Sequence, residues 1–239
     1  METVEFKKSV AREYFEAIVL AVVLALFFRT FVIEAFKIPS SSMEDNLLVG
    51  DHLLVNKFAY APTIFEWEKK LLPVRDVQRT DVIVFKYPEE PSRNFIKRVI
   101  GLGNETVEIR ERQVHVNGKA IQEPYKIHKS DLDPDLAGLM SDNFEPRSVP
   151  EGYYFALGDN RDNSKDSRSW GFVPRDYIKG RGFIIYWSFD GCARYVRAGL
   201  SNCPQNLSPT MAESLENVAH TVINFIRDTR WKRFFKIIR

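Results

Sequence analysis

An uninterrupted apolar segment near the N-terminus limits what this chain can fold into more than any other feature. The twelve residues from Ala17 to Phe28 carry no charged or polar side chain. Widened to run from Tyr14 to Ile33, the segment has twenty residues, which is about 30 Å of α-helix. Such a stretch suits a membrane-spanning helix, a core helix of a soluble protein or the apolar part of a signal peptide.

The flanks of this segment favour an uncleaved membrane anchor. A helix over it would be apolar on all faces, which is unusual for an amphipathic helix packed on a soluble core. A cleavable signal peptide would need small residues soon after the apolar run, but Arg29-Thr-Phe-Val-Ile-Glu follows. Lys7, Lys8 and Arg12 precede the run and favour a cytoplasmic N-terminus, although Arg29 beyond it weakens the charge asymmetry. We therefore predict one transmembrane helix, with the remainder of the chain outside the cytoplasm.

The composition narrows the class of protein. The chain has 239 residues, 44% of them hydrophobic, which is enough for a sizeable core. Its 34 basic and 32 acidic residues give a net charge of +2, too near neutrality for a nucleic-acid binder. Cys192 and Cys203 have no neighbouring histidine cluster, so a disulfide and two buried thiols both remain open. With no metal motif, phosphate-binding glycine loop or paired-carboxylate site, we expect no metal and no cofactor.

Beyond the apolar segment the pattern is typical of a mainly β fold. Short apolar runs alternate with Gly, Pro, Asp and Asn, which is the rhythm of short strands joined by turns. An Asn117-Gly118 pair follows an alternating stretch and predicts a hairpin turn. The predicted strand runs are 52–55, 82–85, 95–100, 107–109, 114–116, 153–156 and 183–187.

Two polar segments and one lysine carry the candidate chemistry. The seventeen residues from Gly158 to Pro174 are dense in Asp, Asn, Ser, Arg and Gly, side chains that bond to nearby backbone and fix a loop. The segment Ile38-Pro-Ser-Ser-Ser-Met contains three consecutive serines. Lys97 lies in an apolar run between them. A loop of this composition usually serves to hold another group in position.

A serine nucleophile requires a base, and Lys97 is the candidate. None of the four histidines sits beside an Asp-containing motif that would indicate a triad. A lysine can replace histidine when burial lowers its pKa of ~10.4 by about two to three units. Strand alternation places Lys97 on the same face as Phe95 and Val99, with Arg98 on the other face. The alternative is an ordinary solvated strand lysine.

These blocks, in this order, resemble the type I signal peptidases. Members of that family are membrane-anchored serine proteases that use a Ser-Lys dyad to remove signal peptides from exported proteins. The resemblance covers most of residues 36–190. It is carried by Pro39-Ser-Ser-Ser-Met, Gly50-Asp51, Asp81-Val-Ile-Val-Phe, Ile96-Lys-Arg and the loop from Gly158 to Pro174.

The resemblance implies a fold and a domain organisation. The fold would be mainly β, a signal-peptidase-like catalytic domain with a small β insertion, preceded by one N-terminal transmembrane helix. The catalytic domain would be discontinuous, formed by residues 36–104 and 150–190 with a variable insertion (105–149) between them. The other expected segments are a cytoplasmic N-terminus (1–13), the anchor (14–35) and a C-terminal extension (191–239) with an amphipathic helix and a basic end.

The resemblance also implies roles for individual residues. Ser42 would be the nucleophile and Lys97 the general base. The Ser40 hydroxyl and the Ser42 backbone N–H would stabilise the oxyanion. Ser164 would hold the lysine amine in place, and an Asp166–Arg168 ion pair would brace the loop. Shallow apolar pockets would select small residues before the cut, one wall formed by Ile38, Pro39, Met43, Leu47 and Phe95 and the other by Phe36, Leu53, Val84 and Ile96.

The expected substrates and location follow from the same resemblance. The enzyme would be a signal peptidase I, a serine endopeptidase that cuts secretory preproteins after Ala-x-Ala-like sites. It would work without a cofactor at a phospholipid membrane and would not bind nucleic acid. The location would be the bacterial cytoplasmic membrane, crossed once, with the catalytic domain on the extracytoplasmic face.

Three segments allow more than one interpretation. The family usually continues Ser-Met-x-Pro-Thr-Leu, whereas this chain has Asp45 and Asn46 in place of the proline and threonine, which puts the local turn in doubt. Residues 64–67 could dip into the bilayer or form a packed loop. The helical spacing from Met211 to Phe225 and the basic residues of 227–239 fit a helix on anionic lipid, or a packed helix followed by a final strand, which we favour.

Two other functions would fit some of the pattern. Another Ser-Lys hydrolase, such as a self-cleaving repressor or a conjugation-linked processing peptidase, would share the dyad. The predicted anchor argues against a repressor, and the long loop from Gly158 favours the general export enzyme. A membrane protein that binds exported chains without cutting them would have no need to keep Ser40, Ser42, Lys97 and Ser164 together.

Overall fold

The computed structural model describes residues 9–61, 74–128, 143–191 and 222–238. Within these ranges the chain is mainly β, and each predicted strand run lies in a strand, so the predicted fold class is confirmed. The strands are β1 (Ile33–Lys37), β2 (Asp51–Asn56), β3 (Val82–Lys86), β4 (Asn94–Gly101), β5 (Thr106–Arg110), β6 (Gln113–Val116), β7 (Lys119–Ala120), β8 (Phe144–Ser148), β9 (Tyr153–Leu157), β10 (Val173–Pro174), β11 (Ile178–Ser188) and β12 (Lys236–Ile237).

Helices are few in the described ranges. Only α1 (Val10–Phe27) among them is long, and α2 (Ser167–Trp170) and α3 (Phe225–Asp228) have four residues each. Single 3₁₀ turns occur at Ser41–Met43, Phe58–Tyr60, Arg175–Tyr177 and Trp231–Arg233.

The N-terminal helix is apolar and exposed. The Ser9 side chain caps α1, and a π-helical turn (Phe28–Val32) extends it, so the helical stretch Val10–Val32 has 23 residues with a mean hydropathy of 2.3. That length and composition are sufficient to cross a membrane, and none of its apolar window is buried in the protein. The helix therefore suggests a membrane-anchored protein.

The predicted anchor runs to residue 35, three residues beyond the end of the helical structure, and its boundary stays a prediction. Helical structure ends at Val32, and Ile33 to Ala35 belong to β1. The reason is tertiary, because β1 pairs antiparallel with β2, with Ile33 opposite Asn56. Hydropathy alone does not distinguish an apolar helical turn from an apolar strand that continues it.

Most strands belong to one eight-stranded sheet. Its order is β1-β2-β11-β3-β4-β9-β10, with β12 added against β11. The eleven-residue β11 pairs with β2, β3 and β12, and register shifts interrupt its ladders with β2 and β3. Two apolar clusters pack on this sheet, one around Leu53 and Val84 and the other around Phe85 and Val99. Lys97 lies in β4, opposite Ile83 of β3 and one residue before the pairing with β9 begins at Arg98.

A second, four-stranded sheet has the order β7-β6-β5-β8. Asn117 and Gly118 both have positive φ between β6 and β7, which confirms the predicted hairpin turn. A third apolar cluster joins this sheet to β4 and β9 through Ile100, Phe155 and Leu157. The sheet lies within residues 106–148, and the domain boundaries given above stay predictions.

The C-terminal residues return to the large sheet. After α3, β12 pairs with β11, with Ile237 opposite Ile184. The basic C-terminal segment therefore contains a final strand on the β domain, which agrees with the interpretation that we favoured from the sequence. The predictions for residues 64–67, for Cys192 and Cys203, and for the helical spacing from Met211 to Val218 concern residues outside the described ranges.

Candidate active site

Ser42 and Lys97 meet in the folded chain. Ser42 lies in the 3₁₀ turn that follows β1, and Lys97 is in the middle of β4, 55 residues later. Lys97 Nζ donates a hydrogen bond to Ser42 Oγ at 2.6 Å. Both residues are buried, with 4% of Lys97 and 7% of Ser42 exposed. A buried amine in direct contact with a hydroxyl is the geometry that proton transfer from serine requires.

The surroundings of Lys97 favour its neutral form. The Phe95 ring centroid lies 5.6 Å from Lys97 Nζ, on the strand face that alternation predicts. Burial lowers the pKa of Lys97 from 10.5 to about 8, while the charges of Asp166 and Asp159 oppose the change and Arg168 adds to it. The lysine is therefore not the solvated strand residue of the alternative interpretation.

The two other candidate serines differ in position. Ser40 is exposed, and its Oγ is 3.5 Å from Ser42 Oγ, so a hydroxyl is available beside the candidate nucleophile. Ser164 is buried, but its Oγ has no hydrogen-bond partner among the described residues. The expected bond from Ser164 to the Lys97 amine is thus not formed in this structure, and that amine donates to Ser42 Oγ.

The Asp166–Arg168 ion pair lies within the loop from Gly158 to Pro174. Arg168 Nη2 and Nε approach the Asp166 carboxylate at 2.8 and 2.9 Å, and Asp166 also accepts the Gly158 N–H at 3.1 Å. Burial by itself raises the pKa of Asp166, but the Arg168 charge and these hydrogen bonds outweigh it and hold the pKa below its usual value. A charged Asp166 therefore ties both ends of the segment 158–168 together.

The loop contacts the serine turn through its backbone and through asparagine side chains. Asn160 N–H donates to Ser42 O at 3.1 Å, Asn160 Nδ2 donates to Ser41 O at 3.3 Å, and Asn163 Nδ2 donates to Ser41 Oγ at 3.1 Å. The loop composition predicts that it positions something. The contacts identify the Ser41–Ser42 turn as one such partner.

Gly158 allows this close approach. A Cβ at this position would lie 2.2 Å from Ser164 Oγ and 2.5 Å from Ser42 O. The contact with Ser42 O cannot be relieved cheaply, because it involves the backbone of the candidate nucleophile.

We expect Gly158→Ala to reduce signal-peptide cleavage by roughly 100-fold, since displacement of a reacting group by about 1 Å costs that much. The measurement is the rate of preprotein cleavage beside a thermal unfolding curve. Gly182→Ala is the matched control, because a Cβ there meets its nearest atoms at 3.5 Å, an ordinary contact. Equal rates for the two variants would contradict the steric argument.

Charged residues on the reverse side of β4 were not identified as site residues from the sequence. Arg98 points to the other face as predicted, yet it is fully buried and makes a two-point bond to Asp159 at 2.8 and 2.7 Å. Arg161 in the loop is paired with Glu123, also buried. Buried ion pairs between distant segments leave no local pattern, so no sequence signal would have shown them.

The nine predicted pocket residues fall into two groups. Ile38, Met43, Leu47, Leu53 and Val84 are at most 2% exposed and lie in one core cluster. Pro39 is exposed, and Phe36, Phe95 and Ile96 are half-buried. Only the second group offers surface to a substrate in this structure. The five core residues support that surface from below, a distinction that apolarity alone does not make.

The described residues show no group of three or more His, Cys, Asp and Glu side chains arranged to hold a metal ion. His128 Nδ1 lies 2.8 Å from Asp162 Oδ1 in the loop, and His52 stacks on Trp187.

Comparisons with known proteins show the family of this chain. A family model described as signal peptidase, peptidase S26, matches residues 11–187, which include the serine turn, Lys97 and the whole loop. The chain belongs to the signal peptidase family. Signal peptidase I of Pseudomonas aeruginosa is 37% identical over 212 residues, which covers 77% of this chain and 75% of that protein. Signal peptidase I of Aquifex aeolicus is 36% identical over 71% of this chain and 81% of its own length.

A crystal structure of a signal peptidase I from Enterococcus faecalis V583 is also similar, with 33% identity, 45% of this chain and 97% of that chain covered, and a TM-score of 0.37. Membership of the signal peptidase family supports removal of signal peptides by a serine protease, and the relatives support signal peptidase I activity for this chain. Preproteins that carry signal peptides are the substrates that the family implies.

Proposed function

We propose that this protein is a membrane-anchored serine endopeptidase that removes signal peptides after Ala-x-Ala-like sites, with Ser42 as nucleophile and Lys97 as general base. The observation that carries the proposal is the 2.6 Å contact between Lys97 Nζ and Ser42 Oγ, made by an amine that is buried against Phe95.

The proposed reaction begins with a neutral Lys97. The amine takes the Ser42 hydroxyl proton as Ser42 Oγ attacks the scissile carbonyl carbon, and the carbonyl oxygen becomes an oxyanion. The Ser42 N–H and the Ser40 hydroxyl would donate to that oxyanion. The protonated amine then returns its proton to the leaving amine of the mature protein. A water molecule, deprotonated by Lys97, releases the signal peptide from the acyl-enzyme and restores Ser42.

Groups near the amine would stabilise its charged state during this cycle. Asp166 and Asp159 attract the ammonium, and the Ser164 hydroxyl, buried beside Gly158 without a partner among the described residues, would accept a hydrogen bond from it. Asp166 and Arg168 would keep the loop in place, which is a structural role.

The sheet offers a binding edge for an extended peptide. Residues 94–97 of β4 pair with β3 on one side, while the described β9 ladder covers only Arg98 to Gly101 on the other. A signal-peptide end could add to this edge and make main-chain hydrogen bonds. Half-buried Phe36, Phe95 and Ile96 would then contact its side chains and favour small residues.

The helix Val10–Val32 would hold this domain at the bacterial cytoplasmic membrane, with the N-terminus cytoplasmic and the catalytic domain on the extracytoplasmic face. The basic residues before the apolar run support this orientation. A single anchor places the site next to the bilayer from which a signal peptide emerges.

The test uses the full chain purified in detergent and a full-length preprotein. Cleavage is followed on a gel, and the N-terminus of the product is sequenced. We expect a cut directly after an Ala-x-Ala site and no product with Ser42→Ala or Lys97→Ala. A product formed by Lys97→Ala at the parental rate would disprove the dyad. No product from the parent would favour the protein that binds without cutting.

A further inference from the structure

The turn after the nucleophile departs from the family pattern in its backbone as well as its sequence. Asp45 has φ of +70°, in the left-handed region. Proline, which the family usually has at this position, is restricted to φ near −65° and cannot take this conformation. The turn of this chain therefore lacks the rigidity that a proline ring provides, and its shape has to be held by other contacts.

The Asn46 side chain provides the first of these contacts. Its Nδ2 donates to Tyr125 O and to Asp159 Oδ2, each at 2.9 Å. The amide nitrogen has two hydrogens, so both are used. One contact reaches the segment next to the small sheet and the other reaches the catalytic loop. Threonine, the usual family residue here, has one hydroxyl hydrogen and can donate only one such bond.

The Asn46 backbone provides the second contact, from the C-terminal segment. Arg233 Nη2 donates to Asn46 O at 2.8 Å, across 187 residues of sequence. The same guanidinium binds the fully buried Asp51 at 3.0 and 2.5 Å, and Asp51 accepts the Leu48 N–H at 2.8 Å. Arg233 thus fixes both ends of the chain segment 46–51.

These contacts act one step away from the reacting serine. Leu47 N–H donates to Met43 O at 2.7 Å, so the position of residues 46 and 47 determines the position of the residue next to Ser42. Displacement of this turn would change the 2.6 Å distance between Ser42 Oγ and Lys97 Nζ.

We propose that Asn46 and Arg233 are positioning residues for the Ser42 nucleophile, which together replace the rigid turn that the family proline supplies. The proposal rests on the proposed Ser-Lys mechanism. Neither residue touches the reacting atoms, and both act through the turn from Met43 to Asp51.

The first experiment compares Asn46→Ala with Asn56→Ala in the full-length protein. Asn56 is the matched control, because its Oδ1 also makes two hydrogen bonds, to Phe58 N and Ala59 N at 2.9 and 3.0 Å, in a turn after β2. Thermal unfolding of each variant is measured first, and kcat and KM for a preprotein are then determined well below the unfolding midpoint. We expect kcat of Asn46→Ala to fall roughly 10- to 100-fold with little change in KM, and that of Asn56→Ala to stay within about twofold of the parent.

Equal kcat values for these two folded variants would overturn the positioning role of Asn46. If Asn46→Ala does not fold, Asn46→Thr takes its place. Threonine keeps one donor, so we expect an intermediate kcat, and a parental kcat would count against the proposal.

The second experiment compares Arg233→Gln with Arg75→Gln. Arg75 matches Arg233 because it also binds a buried aspartate at two points, Asp81 at 2.8 and 2.6 Å, and donates to one backbone carbonyl, that of Asp76. We expect Arg233→Gln to lower kcat and Arg75→Gln to leave it unchanged. Arg233→Lys keeps the positive charge and should restore part of the lost kcat. A loss in both glutamine variants, in proportion to their loss of stability, would reduce Arg233 to a structural residue.

Ser42→Ala separates the two levels of the argument. Activity that survives in Ser42→Ala would defeat the proposed function itself. An inactive Ser42→Ala beside fully active Asn46 and Arg233 variants would defeat only the positioning proposal.

Discussion

Methionine in place of Lys97 is expected to abolish signal-peptide cleavage and, at pH 7, to make the folded protein more stable. General-base catalysis contributes about 100- to 10,000-fold to a rate, and methionine cannot accept the Ser42 proton. Methionine is unbranched like lysine and one atom shorter, so most of the packing against Phe95 is retained. Loss of activity would then report the missing amine and not a collapsed site.

The stability gain follows from the pKa of Lys97. A decrease from 10.5 to about 8, at roughly 1.4 kcal/mol per pKa unit, corresponds to a cost of about 3 kcal/mol for the buried ammonium. Below pH 8 the folded and unfolded chains both carry the charge, and the full cost is present. Between about pH 8 and 10.5 only the unfolded chain is protonated, so the parent becomes more stable as the pH rises and the advantage of Lys97→Met disappears.

The measurements are unfolding midpoints of both proteins at pH 7 and pH 10, and kcat/KM of the parent from pH 6 to pH 10. Because the neutral amine is the active form, kcat/KM should rise with pH and level off above about pH 8. Lys86→Met is the control, since Lys86 is exposed at the end of β3 and should change neither property. A less stable Lys97→Met at pH 7, or a parental rate that falls from pH 6 to pH 8, would contradict the assignment.

The second large effect is expected from Asp159→Asn, which should destabilise the protein by about 3–5 kcal/mol. Asp159 and Arg98 are each 1% exposed at their side chains, and the variant removes the negative charge that the buried Arg98 guanidinium binds at two points. Arg98 also donates to Thr80 O at 2.8 Å and lies 4.1 Å from the Tyr125 ring centroid, so it cannot move to solvent without breaking both contacts.

Denaturant unfolding of Asp159→Asn and of Glu90→Gln measures this effect. Glu90→Gln makes the same carboxylate-to-amide change in an exposed pair, with Arg93 at 3.4 Å, and should cost less than about 1 kcal/mol. A double variant, Arg98→Met with Asp159→Leu, should lose less stability than Asp159→Asn, because it removes both charges of the buried pair. Similar losses of unfolding free energy for Asp159→Asn and Glu90→Gln would contradict the large expected contribution of the buried pair.

The local structure and the chemically reactive residues could be predicted from the amino-acid sequence. Apolarity over twenty residues predicted the N-terminal helix, and period-two alternation with turn residues predicted the strands and the Asn117-Gly118 hairpin. These signals are reliable because each depends on residues a few positions apart. The order of Ser42, Lys97 and the loop from Gly158 was also sufficient to indicate the family, since those residues form continuous blocks.

Which groups are in contact and which are buried depends on tertiary packing and could not be predicted from local patterns. Tertiary packing ended the helical structure at Val32 and paired Ile33 with Asn56, placed five predicted pocket residues in the core, and left the Ser164 hydroxyl without its expected partner among the described residues. It also brought Arg233 to Asn46 across 187 residues. The physical reason is that hydropathy and alternation record which face of an element is apolar, whereas contacts between distant polar groups depend on how the elements pack.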